Sequence, residues 1–229
     1  MTRSDSARRP AVIQDAFDAL VAALRSRLHQ GRDIPIDACD RFDHSLADLA
    51  GATIAREAGA REAGAGEGGE PSLPVLAQLP EAFVAARDAV PDLAEPLEIM
   101  LPALRWTQNP NYRRRPPSAD FLARYGYAQF AGPAGAPTLL ANERLAFGVL
   151  MLGPGTIYPA HSHPAEELYV PLASARWQRG EESWRDRRAG DLMHHPSGVV
   201  HATQAGKAPL LALYLWLGDL GTAAKILGS

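Results

Sequence analysis

Large apolar residues recur at spacings of three and four from Ala11 to Leu28: Val12, Ile13, Phe17, Leu20, Val21, Leu24 and Leu28. A single stripe on this period predicts an amphipathic helix, ended by Gly31 and Pro35. A second helical pattern runs from Ala38 to Glu57, with Phe42, Leu46, Leu49 and Ile54 on one side. The segment from Ala58 to Pro71 is dominated by Gly and Ala and carries no large apolar residue. It reads as a flexible linker. Two more helices are expected from Pro80 to Val90 and from Asp92 to Leu104, divided by Pro91.

Past Trp106 the helical period disappears. Asn109-Pro110, Pro116-Pro117, Gly132-Pro133, Gly135 and Pro137 punctuate the chain. Short β-rich runs follow at Leu145–Leu152, Glu167–Leu172, Ala175–Gln178, Asp191–His195, Val199–Thr203 and Leu210–Leu217. Turn residues at Gly153-Pro154, Arg179-Gly180, Pro196-Ser197-Gly198 and Ala205-Gly206 separate them. Short strands at such intervals predict an antiparallel sandwich or barrel. The expected fold is α+β, mainly β: a helical region over residues 1–105, then a β-barrel over residues 106–229.

Composition narrows the function. The 229 residues are 46% hydrophobic and 21% charged, with a net charge of -3, so the chain is globular and can bury a core. That charge balance argues against a nucleic-acid partner, which normally demands a basic excess. All basic residues except Lys207 and Lys225 are Arg, a habit of composition more than a phosphate-binding device. A lone Cys39 excludes an internal disulfide and any Cys-rich zinc site; an inert core position is expected for it. No apolar run is long enough to span a membrane, and no apolar segment follows Arg3, Arg8 and Arg9 to make a secretory signal. A cytoplasmic protein without membrane partners is expected.

The chemistry concentrates in the second half. His161 and His163 stand at i and i+2, hence on one face of a strand. Glu167 opens the next strand, and His201 follows the turn Pro196-Ser197-Gly198. Three imidazoles and one carboxylate make a mixed N/O set for one divalent ion, and Zn, Fe, Mn, Co and Ni all accept it. Tyr169, two residues after Glu167, shares the ligand face on a regular strand. A nearby dication would favour its phenolate. Tyr158 precedes His161 by three residues, and its direction depends on the bend at Pro159. Glu166 points to the opposite face. His194 and His195 read as a surface pair, and Arg113-Arg114-Arg115 as a solvated loop. Of Trp106, Tyr112, Tyr125, Tyr127, Trp177, Trp184, Tyr214 and Trp216, most are expected to be ordinary core and two or three to line a pocket.

The spacing Gly155-x5-His161-x-His163-x3-Glu167, followed by Gly190-x5-Pro196-x-Gly198-x2-His201, closely resembles the two motifs of the cupin superfamily. Ser174 and Ala205 stand where those motifs usually close with Gly and Asn, and neither departure removes a ligand. Within the cupins, the runs Trp106–Tyr112, Phe121–Tyr127 and above all Gly153–Tyr169 resemble the bacterial cupin-type dimethylsulfoniopropionate (DMSP) lyases, over roughly Leu97 to Leu217. The resemblance implies β-elimination of DMSP, a small zwitterion, to dimethyl sulfide and acrylate. It also implies a tyrosine base at Tyr169 and a second active-site tyrosine at Tyr158. Two other functions fit the same fold: a metal-dependent cupin oxygenase acting on a small organic acid, and a non-catalytic small-molecule sensor. The stripe of the first helix could pack on its own barrel or across a homodimer.

Overall fold

A computed structural model of the chain describes residues 3–31, 34–54, 72–134 and 137–227, with side chains from residue 10 onward. The expected linker from Ala58 to Pro71 lies outside the described residues. The helical part comprises α1 (Arg3–Gln30), α2 (Ile36–Ala47), α3 (Leu79–Ala89), α4 (Pro91–Met100) and the short α5 (Pro110–Arg114). Phe17, Leu20, Val21, Leu24 and Leu28 of α1 are buried as expected. Val12 is 47% exposed, because five residues before Phe17 it sits about 140° around the helix. The second helix stops at Ala47, earlier than the sequence pattern suggests. A turn ending at Gly51 (φ 79°) redirects the chain there. Gln14 then anchors it, donating to the Ala52 carbonyl at 3.1 Å and accepting from the Ile54 amide at 3.0 Å.

Eleven strands follow among the described residues: β1 (Tyr125–Gly132), β2 (Thr138–Ala141), β3 (Leu145–Leu152), β4 (Ile157–Ser162), β5 (Glu166–Pro171), β6 (Ala175–Arg179), β7 (Arg185–Arg187), β8 (Met193–His195), β9 (His201–Ala205), β10 (Leu210–Leu217) and β11 (Lys225–Ile226). They form a six-stranded sheet, β2-β1-β3-β10-β5-β8, and a five-stranded sheet, β11-β4-β9-β6-β7. The two sheets face each other as in a jelly roll and share no ladder among the described residues. All pairings are antiparallel except β1 with edge strand β2, which run parallel with Gln129 opposite Thr138.

Period-two alternation sorts the large sheet into two buried faces. Phe147, Val149 and Met151 of β3, Val170 of β5, and Leu211, Leu213 and Leu215 of β10 turn outward, into one core with α1–α4. Phe17 of α1 meets Phe147 there, ring centroids 6.4 Å apart. The helices therefore cover the sheet's outer face. The alternate residues Leu150, Leu152, Tyr169, Ala212 and Tyr214 turn inward, against Tyr158, Ala175, Trp177 and Ala205 of the small sheet. Double burial explains why β3 is buried at all eight positions. The candidate residues Tyr158 and Tyr169 lie on this inner face.

Candidate active site

His161 lies directly opposite His201 in the β4–β9 ladder, with ring centroids 4.2 Å apart. His163 follows the end of β4, and Glu167 enters from β5 in the facing sheet. The carbonyl of His163 accepts the Gly198 amide at 2.9 Å, which ties the segments carrying His163 and His201. Gly198 has φ 76°, which a side chain would disfavour in that tight turn. The candidate ligand atoms of His161, His163, Glu167 and His201 all lie within 4.8 Å of one another, and every one of these residues is buried.

Backbone carbonyls fix the three rings. His161 Nδ1 donates to Pro159 O at 2.8 Å, His163 Nδ1 to Ala165 O at 3.0 Å, and His201 Nδ1 to Val199 O at 3.0 Å. With the proton held on Nδ1, each Nε2 presents its lone pair to the cluster, the arrangement a metal-binding imidazole needs. His161 Nε2 is buried without a hydrogen-bond partner. His163 Nε2 and His201 Nε2 lie 3.1 and 2.8 Å from Glu167 Oε2. Trp216 Nε1 donates to Glu167 Oε1, and its ring stacks on His163 at 4.2 Å. This donor set fits a divalent first-row ion.

Electrostatics agree with a site built for positive charge. Burial pulls His161 down to about 3, with His201 adding to the shift, so it stays neutral. Burial also opposes charge on His201, but the Glu167 carboxylate outweighs it and raises its pKa. Glu167 is held well below the usual carboxylate range, since His201 and His163 overcome its burial. Both tyrosines lie well above the ordinary phenol value. For Tyr169 the causes are burial and then the charge and hydrogen bond of Glu167. For Tyr158 they are burial and then its neighbours Tyr125 and Tyr112. A phenolate at either position needs a cation beside it.

Beside the cluster lies a cavity of about 210 Å³ whose walls include Tyr125, Tyr127, Tyr158, Tyr169, Tyr214 and Trp216. Tyr169 faces it by strand alternation, opposite Tyr214 on β10. Tyr158 reaches it through a bulge. Between Tyr158 and His161 the β4–β9 register slips, pairing Tyr158 with Thr203 and His161 with His201. Residues three apart would normally face opposite ways, and the extra residue restores one face. A glycine makes room for Tyr214: a Cβ at Gly148 would meet the Tyr214 Oη at 2.5 Å and Ala128 O at 2.3 Å. The loop before β1 is pinned by Gln108, whose Nε2 donates to Leu122 O at 2.6 Å and Tyr125 O at 2.8 Å. That loop brings Asn109 to the cavity wall.

One expectation changes. His194 and His195 are not a surface pair but are both buried, because β8 is covered on each side. His194 bonds Glu166 at 2.7 Å, while His195 stacks on His201 at 4.2 Å and 9°. Glu166 points away from the His/Glu cluster, as expected, and is gripped by Arg41. Trp184 is away from the site, under the Arg176 guanidinium, and Trp106 packs on the helical core. The roles of Trp216, His195 and Gln108 depend on partners remote in sequence, and no local spacing marks them.

The sequence profile of the DMSP lyase family matches residues 52–212. The chain belongs to the DMSP lyase family. Its match exceeds the stretch of resemblance seen in the motifs, reaching back into the helices. The DMSP lyase DddQ of Ruegeria pomeroyi is 41% identical over 106 residues, covering 46% of this chain and 51% of that protein. DddL of Cereibacter sphaeroides is 32% identical over 150 residues, 64% of this chain and 60% of that protein. The matched part thus spans between half and two thirds of these relatives. The crystal structure of the Ruegeria pomeroyi family member DddQ aligns over 93% of this chain and 96% of its own, with 24% identity and a TM-score of 0.59. That likeness establishes the fold, a cupin with helices before it. No described helix is long and apolar enough to cross a membrane.

Proposed function

We propose that this chain is a metal-dependent carbon–sulfur lyase that cleaves DMSP to dimethyl sulfide and acrylate. The observation that carries the reading is the convergence of His161, His163, Glu167 and His201 beside a cavity that Tyr169 and Tyr158 line. The four converging residues would hold one divalent ion. A bound ion supplies Lewis acidity for the substrate carboxylate and favours the phenolate of a neighbouring tyrosine.

The chain's own residues do the rest. Tyr169 Oη takes the α-proton; the released electron pair forms the carbon–carbon double bond, and the carbon–sulfur bond breaks to give dimethyl sulfide. The Glu167 carboxylate beside Tyr169 favours its neutral hydroxyl in the resting site. Tyr158, within the cluster of Tyr112 and Tyr125, orients substrate. The rings of Tyr125, Tyr127, Tyr214 and Trp216 offer π faces to a sulfonium, each contact contributing about 0.5–2 kcal/mol. Their bulk also keeps water from the reacting carbons. In this reading residues 106–229 form the catalytic unit, and helices α1–α4 of the preceding region cover its outer sheet.

The test is anaerobic incubation of the metal-loaded protein with DMSP, with headspace detection of dimethyl sulfide. Formation at the same rate without oxygen supports the elimination. Turnover that requires oxygen would favour an oxygenase, and binding without product would favour a sensor.

A further inference from the structure

A second cavity, of about 150 Å³, opens at the seam where edge strand β8 of the large sheet approaches β6 and β7 of the small one. Trp177, Arg179, Glu182, Arg185, Arg187 and His195 line it. Three guanidinium groups face one carboxylate. Glu182 is shared by Arg179 and Arg185, each at 3.1 Å. The lining also carries buried polar atoms that have no hydrogen-bond partner: Trp177 Nε1, Arg187 Nε, and both ring nitrogens of His195. Trp177 and His195 are each only 3% exposed. Buried donors without acceptors are costly, and three of different chemistry around one cavity define a place for acceptor oxygens.

We infer that this seam is a second binding site, specific for a compact carboxylate. The excess of guanidinium groups excludes a cation. Indole and Arg Nε atoms can only donate, so the ligand must accept. Pro35 and His194 also line it, and Leu192 and Met193 give an apolar wall to a short carbon chain, which an inorganic oxyanion lacks. The site is separate from the tyrosine cavity but shares walls with its residues. Trp177 lies 5.9 Å from the Tyr169 ring, and His195 stacks on His201. A carboxylate bound here would therefore rest behind the metal ligands, not among them. This inference does not depend on the lyase reading.

Calorimetric titration of the full-length, metal-loaded protein with acrylate, and separately with sulfate, at fixed ionic strength tests it. Acrylate binding should persist in His163→Ala, which lacks a metal ligand. It should weaken by at least about tenfold in Arg187→Gln, the loss expected from one charge-assisted hydrogen bond. Arg185→Gln, at a side chain 62% exposed and safe for folding, should weaken it in the same direction. Unchanged binding in both arginine variants would overturn the site. So would loss of all binding in His163→Ala. Sulfate binding as tight as acrylate would overturn the carboxylate specificity. All these readouts are independent of turnover, so failure of the lyase reading would leave them intact.

Discussion

Arg41 on α2 grips Glu166 with two hydrogen bonds, Nε to Oε2 at 3.0 Å and Nη2 to Oε1 at 2.6 Å. Glu166 stands beside the site carboxylate Glu167 and also bonds His194. The helical region thus holds the strand that carries Glu167 by a bidentate clamp between residues 125 apart in sequence.

Removing that clamp should destabilise the protein modestly. The Arg41 side chain is 48% exposed, so solvent screening limits its contribution to about 1 kcal/mol. Arg41→Ala should therefore lower Tm by about 2–4 °C. Calorimetric scans at low and high salt would check this, and the gap between wild type and variant should narrow in salt. An unchanged Tm at low salt would show that the clamp contributes nothing.

His163→Ala and His201→Ala should each abolish stoichiometric metal while leaving most of the fold. Either change takes one nitrogen from a four-residue donor set. Elemental analysis of dialysed protein, alongside circular dichroism, measures both effects. Full occupancy in either variant would refute the ligand assignment.

The tyrosines separate by kinetics. Tyr169→Phe removes one oxygen and preserves the packing on Trp177. The metal should remain, KM should move little, and kcat should fall by roughly 10²–10⁴-fold, the range for a general base. Tyr158→Phe should raise KM more than it lowers kcat. A nearly normal Tyr169→Phe enzyme beside an inactive, metal-replete Tyr158→Phe enzyme would transfer the base role to Tyr158.

Metal-free protein should lose stability in acid. Burial holds His161 to about 3 and His195 to about 2, whereas an unfolded imidazole titrates near 6.5. Between those values the unfolded chain binds protons that these two folded residues refuse, so stability falls as pH drops below about 6.5. Glu167, whose pKa is lowered, acts in the same sense: its contribution is present above its unfolded value of about 4.5 and is lost as pH falls. His201 is raised, so its contribution is complete below about 6.5 and is lost as pH rises through its folded value. Two neutral histidines against one charged histidine leave a net loss on acidification. Thermal unfolding of chelator-treated protein from pH 7 to pH 5 should show a falling Tm, and a flat profile would contradict the assignment.

The sequence alone determined the features that rest on local period. The α1 stripe, the strands Leu145–Leu152 and Leu210–Leu217, and the cluster of His161, His163, Glu167 and His201 were legible because spacing fixes which side of an element a residue occupies. Tyr169 followed Glu167 to the inner face by the same rule. The tertiary structure decided what depends on register between remote segments. A bulge opposite β9 turned Tyr158 inward, and a turn at Gly51 shortened α2. Pairing of β10 with β5 set Trp216 against Glu167, 49 residues away. Pairing of β5 with β8 buried His194 and His195, which look like surface residues in isolation. A strand's own residues specify its two faces, but which neighbour covers each face is settled only when the sheets and helices pack together.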